Sequence, residues 1–143
     1  HPYIYENGGV YDSGKKERRI GCDCGLSRND IIKRYGEQYQ VSLLPNKGSW
    51  YTKGYENSKE SKKRASNIIN WITSKEFYNN HKGSIVIFVM HGDFINELQK
   101  KIVSSPSENK TYYDIPNTGI SSFLLKNGKF EIKYLMCTKH LSK

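Results

Sequence analysis

The longest apolar run in the chain is Ile85 to Met90, six consecutive residues rich in β-branched types. A run of this length and composition predicts a strand that is buried on both faces of a sheet. The run ends on His91 and Gly92, after which the apolar residues take the spacing of one helical face. His91 is therefore predicted to lie where the strand stops and a helix begins. The apolar residues of that helical face are Phe94, Ile95, Leu98 and Ile102.

A short helix is predicted earlier in the chain. Ser27 is a favourable N-cap, and Asp30 takes the third helical position, where a capping box usually has Glu. The helix should reach about Tyr35 and stop at Gly36, because glycine readily adopts the backbone angles that end a helix.

A long helix is predicted to begin at Asn57 or Ser58 and to end near residues 81–83. Asn57 and Glu60 form a second capping-box pattern. The helix has a wet, lysine-rich side and a buried stripe of apolar residues at helical spacing. That stripe consists of Ala65, Ile68, Ile69, Ile72 and Phe77.

Two alternating segments near the end of the chain, Ile120–Leu125 and Phe130–Met136, are joined through Asn127-Gly128. This dipeptide between alternating apolar residues is a strong signal for a β-hairpin. Helix, buried strand and helix with short connections are typical of an α/β sheet. We therefore predict an α/β fold, a three-layer sheet with helices on both faces and a C-terminal antiparallel hairpin.

Near the start of the chain, Glu6 follows a short apolar segment and precedes Gly8 and Gly9. The double glycine marks a turn that needs unusual backbone angles. Glu6 is thus an acid at a strand-to-turn corner, where it serves either a functional role or the turn itself. The aromatic loop from Trp50 to Glu56 either lines a pocket or plugs the edge of a core.

Length and composition fit one globular domain, residues 1–143, with 36% hydrophobic and 13% aromatic residues. The formal net charge of +9 is compatible with nucleic acid, an anionic membrane surface or a small anionic substrate. No basic motif interleaved with aromatic residues favours nucleic acid, and no apolar run is long enough to span a membrane. Three cysteines without a secretory signal indicate a reducing, cytoplasmic compartment, and their spacing predicts no metal site.

The position of His91 suggests chemistry on an anion. In open α/β sheets, ligands bind where strands end. The following helix would aim unpaired backbone N–H groups and the positive end of its dipole at the same point, and Gly92 would let an anion approach closely. The alternative interpretation is a structural histidine after a buried strand.

Several short motifs, in their order along the chain, resemble the histidine phosphatase superfamily, also called the phosphoglycerate mutase-like fold. The segments that carry the resemblance are Val89-Met90-His91-Gly92, Pro116-Asn117-Thr118-Gly119-Ile120 and the closing hairpin. Supporting pieces are Tyr5–Gly9, Gly25–Arg28, Trp50–Glu56 and Glu60–Ala65. The resemblance covers essentially all 143 residues.

This resemblance implies roles for individual residues. His91 matches the second histidine of the pocket, which helps hold the transferred phosphoryl group, and Glu6 matches the acid that protonates the leaving oxygen. Gly92 and Asp93 would flank the phosphate, and Asn117 and Thr118 either face the pocket or form a plain turn. The implied substrate is a phosphorylated small molecule. The phosphohistidine chemistry needs no cofactor and no metal.

One departure from the family pattern is serious. In such enzymes the nucleophile is a histidine in an Arg-His-Gly motif at the end of the first strand, and a second arginine also clamps the phosphate. Neither is recognisable here. The arginines of the chain are Arg18, Arg19, Arg28, Arg34 and Arg64.

We therefore expect the chain to be the C-terminal part of a longer enzyme, inactive alone and incomplete because the first strand is missing. Apolar surface and unpaired strand edges would then be exposed, unless the missing N-terminal segment or a second copy covers them.

Two rival functions are kept open. One is a non-catalytic module that has lost the nucleophile and recognises a phosphorylated ligand. The other is a basic nucleic-acid-binding domain that resembles the family by chance. For the complete enzyme we favour a phosphatase over a mutase.

Overall fold

The computed structural model describes residues 2–10, 25–39, 41–103 and 111–141. The polar, glycine-punctuated segment Asp12–Gly25 is predicted to be a loop, as are residues 104–110. Most of the first loop and all of the second lie outside the described residues. The chain divides into two compact units, His1–Ser61 and Lys62–Lys143. Each is described by itself, and the prediction of one domain over residues 1–143 stays a prediction.

In the first unit, α1 (Arg28–Tyr35) confirms the predicted short helix. The Asp30 amide donates to Ser27 Oγ at 3.2 Å, and the Ser27 amide donates to Asp30 Oδ2 at 3.1 Å. The side-chain hydrogen bond from Ser27, followed by its backbone bond, lowers the pKa of the Asp30 carboxyl. Gly36 ends the helix with φ of 101°, a conformation that favours glycine. Local capping chemistry therefore fixes both ends.

The core of the first unit is aromatic. Tyr5 and Tyr51 are buried, and their ring centroids lie 5.1 Å apart in an edge arrangement. The Trp50 ring lies 5.9 Å from Tyr5 and 5.7 Å from Tyr51. These contacts support the interpretation of the Trp50 loop as a plug that closes the edge of a core.

The predicted long helix is two helices, α2 (Ser58–Ile72) and α3 (Lys75–His81). The start of α2 was predicted correctly, since Asn57 Oδ1 accepts from the Glu60 amide at 3.1 Å and Glu60 accepts from the Asn57 amide at 2.8 Å. The uninterrupted course to residue 81 is wrong. Ser74 takes an extended conformation and its side chain accepts from the Phe77 amide at 3.1 Å, so it caps a new helix.

The helix predicted after His91 is present as α4 (Gly92–Val103). Phe94 and Leu98 are buried, as the periodicity predicts. Four polar residues are buried on the same helix, which the apolar pattern did not predict. They are Asn96, Glu97, Gln99 and Lys100.

The C-terminal antiparallel hairpin is confirmed as β1 (Ile120–Lys126) and β2 (Lys129–Cys137). Asn127 and Gly128 connect the strands with φ of 52° and 73°, the positive angles that a two-residue hairpin turn requires. The register shifts near Ser121, whose Oγ accepts from the Met136 amide at 3.0 Å and from Gln99 Nε2 at 2.7 Å. Ser121 thus ties α4 to the hairpin.

The apolar run Ile85–Met90 differs from its prediction. Among the described residues it pairs with no other strand, and the sheet consists of β1 and β2. Ile85, Ile87 and Val89 are 91%, 81% and 84% exposed, so the prediction of a strand buried on both faces is wrong. The structure is a small α/β arrangement, and the three-layer sheet and the missing first strand stay predictions. No helix in the described ranges is long and apolar enough to cross a membrane.

Candidate active site

The helix half of the predicted junction is present, since His91 directly precedes α4, but no strand precedes His91 among the described residues. Its backbone carbonyl accepts the first hydrogen bond of α4, from the Ile95 amide at 2.9 Å, so His91 stands at the N-cap position. Its side chain is exposed, and within the described ranges its ring makes no hydrogen bond. The structure therefore does not support a packed structural histidine, and the ring is accessible to a ligand.

Gly92 and Asp93 form the start of α4, where the first backbone N–H groups have no partner inside the helix. Among the described residues, a Cβ atom added at Gly92 would meet only Ile115 Cβ, at 3.9 Å, which is ordinary van der Waals contact. The space beside Gly92 is thus open. Asp93 is exposed, and its Oδ1 accepts from the Tyr112 hydroxyl at 3.0 Å.

The segment of residues 111–115 runs beside the first turns of α4. The Tyr113 amide donates to Asn96 Oδ1 at 2.9 Å, and Asn96 is buried. Together with the contacts of Tyr112 to Asp93 and of Ile115 to Gly92, this bond fixes the segment along the helix. The chain consequently arrives next to the start of α4 just before it reaches Asn117.

Asn117 and Thr118 are the central residues of a turn closed by a bond from the Gly119 amide to the Pro116 carbonyl at 2.9 Å. Both side chains are exposed. Thr118 has φ of 60°, which is rare for a β-branched residue and costs about 1–3 kcal/mol. Backbone strain of this kind is concentrated at functional sites in proteins. The structure therefore brings His91, Gly92 and Asp93 to one helix end, and the Asn117 turn begins directly after Ile115, which lies beside Gly92.

A buried cation lies next to this helix end. Arg64 on α2 is buried, and its guanidinium carbon lies 3.7 Å from the ring centroid of Phe94, the third residue of α4. Such a cation–π contact is worth about 2 kcal/mol when it is shielded from water. Arg64 belongs to the supporting segment Glu60–Ala65, but no role in the site was predicted for it. Arg64 lies four and eight residues before Ile68 and Ile72, so helical spacing places it on the face of the buried stripe, and this is the signal that could have found it.

Glu6 belongs to the first unit, and His91 belongs to the second. Glu6 Oε1 accepts from the Asn7 amide at 2.8 Å, and the Glu6 carbonyl accepts from the Gly9 amide at 3.3 Å. The predicted turn is therefore present. Gly9 has φ of 92°, and a Cβ there would lie 2.0 Å from the Tyr51 hydroxyl, which explains why glycine is required.

The turn after Glu6 is held from two sides. The Glu56 amide donates to the Gly8 carbonyl at 3.0 Å, and the Ser61 hydroxyl donates to Asn7 Oδ1. Glu56 is buried, with its carboxylate 3.3 Å from the Tyr5 hydroxyl that donates to it. Sequence reasoning treated Glu56 only as the end of an aromatic loop and missed this supporting role.

Comparison with known proteins identifies the family. A model of the histidine phosphatase superfamily (branch 1) matches residues 10–138. The chain belongs to the histidine phosphatase superfamily. No curated protein and no solved structure matches it.

The match confirms the resemblance drawn from short motifs, and it includes His91, Gly92, Asp93, Asn117 and Thr118. Membership in the histidine phosphatase superfamily indicates phosphoryl transfer or phosphate-ester hydrolysis. The matched region begins at residue 10, so Glu6 lies outside it. In the part of the chain that the structure describes, no group of three or more His, Cys, Asp or Glu side chains could hold a metal ion.

Proposed function

We propose that the complete gene product containing these residues hydrolyses phosphomonoesters through a phosphohistidine intermediate, in the cytoplasm and without a cofactor. The nucleophile would be a histidine in an Arg-His-Gly motif, which these 143 residues do not contain. The fragment alone would therefore be inactive. The observation that carries the proposal is an exposed imidazole at the N-cap of α4 in a chain that belongs to this superfamily.

In the first step, the nucleophilic nitrogen attacks phosphorus and the bond from phosphorus to the ester oxygen breaks. His91 and the backbone N–H groups of Gly92 and Asp93 stabilise the negative charge on the phosphoryl oxygens. Glu6 gives its proton to the leaving oxygen. Water then attacks the phosphohistidine, returns a proton to Glu6 and releases inorganic phosphate. In a mutase, a second hydroxyl group would take the place of water.

The Asn117 turn is assigned to substrate binding. Thr118 is retained in an unfavourable backbone conformation, and both turn side chains are accessible. Both side chains can donate hydrogen bonds to, and accept them from, the part of the substrate that carries the phosphate.

The test uses the complete gene product and a generic aryl phosphate. His91→Ala should lower kcat/KM by about 10²–10³-fold, the usual effect of removing one charge-stabilising group from such a site. Because the ring is exposed, the melting temperature should stay nearly unchanged. His140→Ala is the matched control, since His140 is also exposed. Near-normal turnover in His91→Ala would refute the role of His91.

A second test addresses Glu6. Glu6→Gln should impair alkyl phosphates, which have poor leaving groups, more than aryl phosphates, which need little protonation. Equal losses on both substrates would contradict proton donation by Glu6.

A phospholigand-binding module is the second candidate, because no Arg-His-Gly tripeptide occurs in the sequence. If the complete gene product also lacks that motif, it should bind phosphomonoesters without turning them over. The His91→Ala variant should then lose affinity instead of activity.

A further inference from the structure

The start of α4 contains a conflict between fold and function. A carboxylate in the first turn of a helix favours the helix, because it faces the positive end of the dipole. The same carboxylate repels an anion that binds to the first N–H groups. Asp93 is exposed and directly follows Gly92, so it stands at the entrance of the proposed phosphate site.

The side chain of Asp93 is held in place. The Tyr112 hydroxyl donates to Oδ1 at 3.0 Å, and the Tyr113 amide is bonded to the buried Asn96 one turn further along α4. These two bonds fix the carboxylate from a separate segment of the chain. The Tyr112 bond is made to Oδ1, and within the described ranges Asp93 Oδ2 has no side-chain hydrogen-bond partner. An ionised carboxylate can only accept hydrogen bonds.

We propose that Asp93, oriented by Tyr112, determines substrate specificity at this site. It favours phosphomonoesters with a hydrogen-bond donor, such as a hydroxyl group, next to the phosphate-bearing carbon. It rejects those with a carboxylate at the same place. This inference rests on the proposed function, because it assumes that phosphate binds at the start of α4.

The physical basis is the difference between one accepted hydrogen bond and one charge repulsion. A substrate hydroxyl can donate to Oδ2, which is a charge-assisted bond. A substrate carboxylate offers no donor and meets a like charge that Tyr112 prevents from turning away. Substrates with a single phosphate and a polyol or hydroxyalkyl group are therefore the expected class.

The experiment compares three alkyl phosphates of nearly equal size with the complete gene product. They are ethyl phosphate, 2-hydroxyethyl phosphate and phosphoglycolate. Both kcat/KM and the dissociation constant are measured, so that the preference among the three substrates can be determined even if turnover is absent. Asp93→Asn should raise kcat/KM and affinity for phosphoglycolate about fivefold relative to those for ethyl phosphate. This is the size of effect expected for removing one partly screened charge. The same substitution should also reduce the preference for 2-hydroxyethyl phosphate.

Tyr112→Phe should change both preferences in the same direction by a smaller factor, because the carboxylate remains but loses its orienting bond. Asp114→Asn is the matched control, since Asp114 is an exposed acid in the same segment. It should leave all ratios unchanged. Melting temperatures verify that each variant is folded at the assay temperature.

Three outcomes separate the hypotheses. If Asp93→Asn alters kcat/KM and affinity equally for all three substrates, or for none of them, the specificity role is overturned while the phosphatase proposal stands. If the wild-type protein neither binds nor hydrolyses any of the three, the proposed function itself fails. A shift in the ratio of phosphoglycolate to ethyl phosphate, seen with Asp93→Asn and not with Asp114→Asn, supports the inference.

Discussion

Two neighbouring regions, the apolar segment Ile85–Met90 and helix α4, show opposite relations between hydrophobicity and burial. The segment exposes Ile85, Ile87 and Val89 almost completely. The helix that follows one residue later buries four polar side chains, including Asn96 and Gln99. Burial in this protein is therefore decided by which groups find partners, and hydrophobicity alone does not predict it.

The physical reason lies in the backbone. A helix satisfies its N–H and C=O groups internally, so α4 needs neighbours only for its side chains. Each of its buried polar side chains has at least one partner, since Asn96 accepts from Tyr113, Glu97 pairs with Lys100 at 3.2 Å, and Gln99 donates to Ser121 through Nε2. An extended segment needs another strand for its backbone and a covering layer for its side chains. The face of Ile85–Met90 that carries Phe88 is partly covered, as the contact between Phe88 and Trp71 shows.

The largest expected effect tests this contrast directly. Phe94→Ala should reduce the free energy of unfolding by about 3–5 kcal/mol, because Phe94 is fully buried and leaves a cavity. Ile87→Ala should change it by less than about 0.5 kcal/mol, because Ile87 is exposed. Chemical denaturation of the 143-residue chain measures both.

Equal losses for the two variants would contradict the contrast. The comparison becomes sharper when the unfolding free energy of Ile87→Ala is also measured in the complete gene product. A loss of about 2 kcal/mol or more there would show that another part of that protein covers the segment.

The buried polar groups of α4 give the next largest effect. Asn96→Leu leaves the Tyr113 amide without its acceptor and should cost about 1–3 kcal/mol. Gln99→Leu is the matched comparison, because Gln99 Oε1 is buried and has no hydrogen-bond partner among the described residues. Removing that unpaired oxygen offsets the lost bond to Ser121, so a change of less than about 1 kcal/mol is expected.

The measurement is again the free energy of unfolding. Asn96→Leu should also reduce the discrimination against phosphoglycolate in the complete gene product, since it releases the segment that carries Tyr112 and so loosens Asp93. If Gln99→Leu proves as costly as Asn96→Leu, then the unpaired oxygen does not destabilise the protein.

A smaller gain in stability is expected at the strained turn. Thr118→Gly should raise the free energy of unfolding by about 1 kcal/mol, because glycine adopts φ of 60° without strain. Activity of the complete gene product should fall if Thr118 contacts the substrate. Asn127→Gly in the hairpin is the control, since Asn tolerates positive φ and lies in a plain turn. A Thr118→Gly variant with full activity would leave the turn with a structural role only.

The features that the sequence predicted correctly depend on short-range chemistry. The Ser27 capping box and the Asn127-Gly128 turn are specified within a few residues, and both are present. The second cap at Ser74 was missed because the apolar stripe continues through it to Phe77. The exposure of Ile87 could not be read from its neighbours in sequence, since it depends on whether another strand is present.

The candidate site shows the same difference between features set by nearby residues and features set by distant ones. The position of His91 was predictable because a change of hydrophobic period marks it. The contact of Arg64 with Phe94 joins two residues thirty positions apart, and no local pattern announces such a pairing. The bond between Tyr112 and Asp93 likewise depends on how the chain returns to α4 after residue 110.

The smallest expected change in stability is at Gly92, where the two compared regions meet. Because an added Cβ would make only an ordinary contact with Ile115, Gly92→Ala should change the free energy of unfolding by less than about 0.5 kcal/mol. If phosphate approaches the N–H groups of Gly92 and Asp93, however, the methyl group should weaken phosphate affinity about tenfold, the effect of losing one charge-assisted hydrogen bond. Gly54→Ala is the matched control, since a Cβ there also meets open space. Titration with inorganic phosphate decides the matter, and equal affinity in the two variants would place the anion somewhere other than the start of α4.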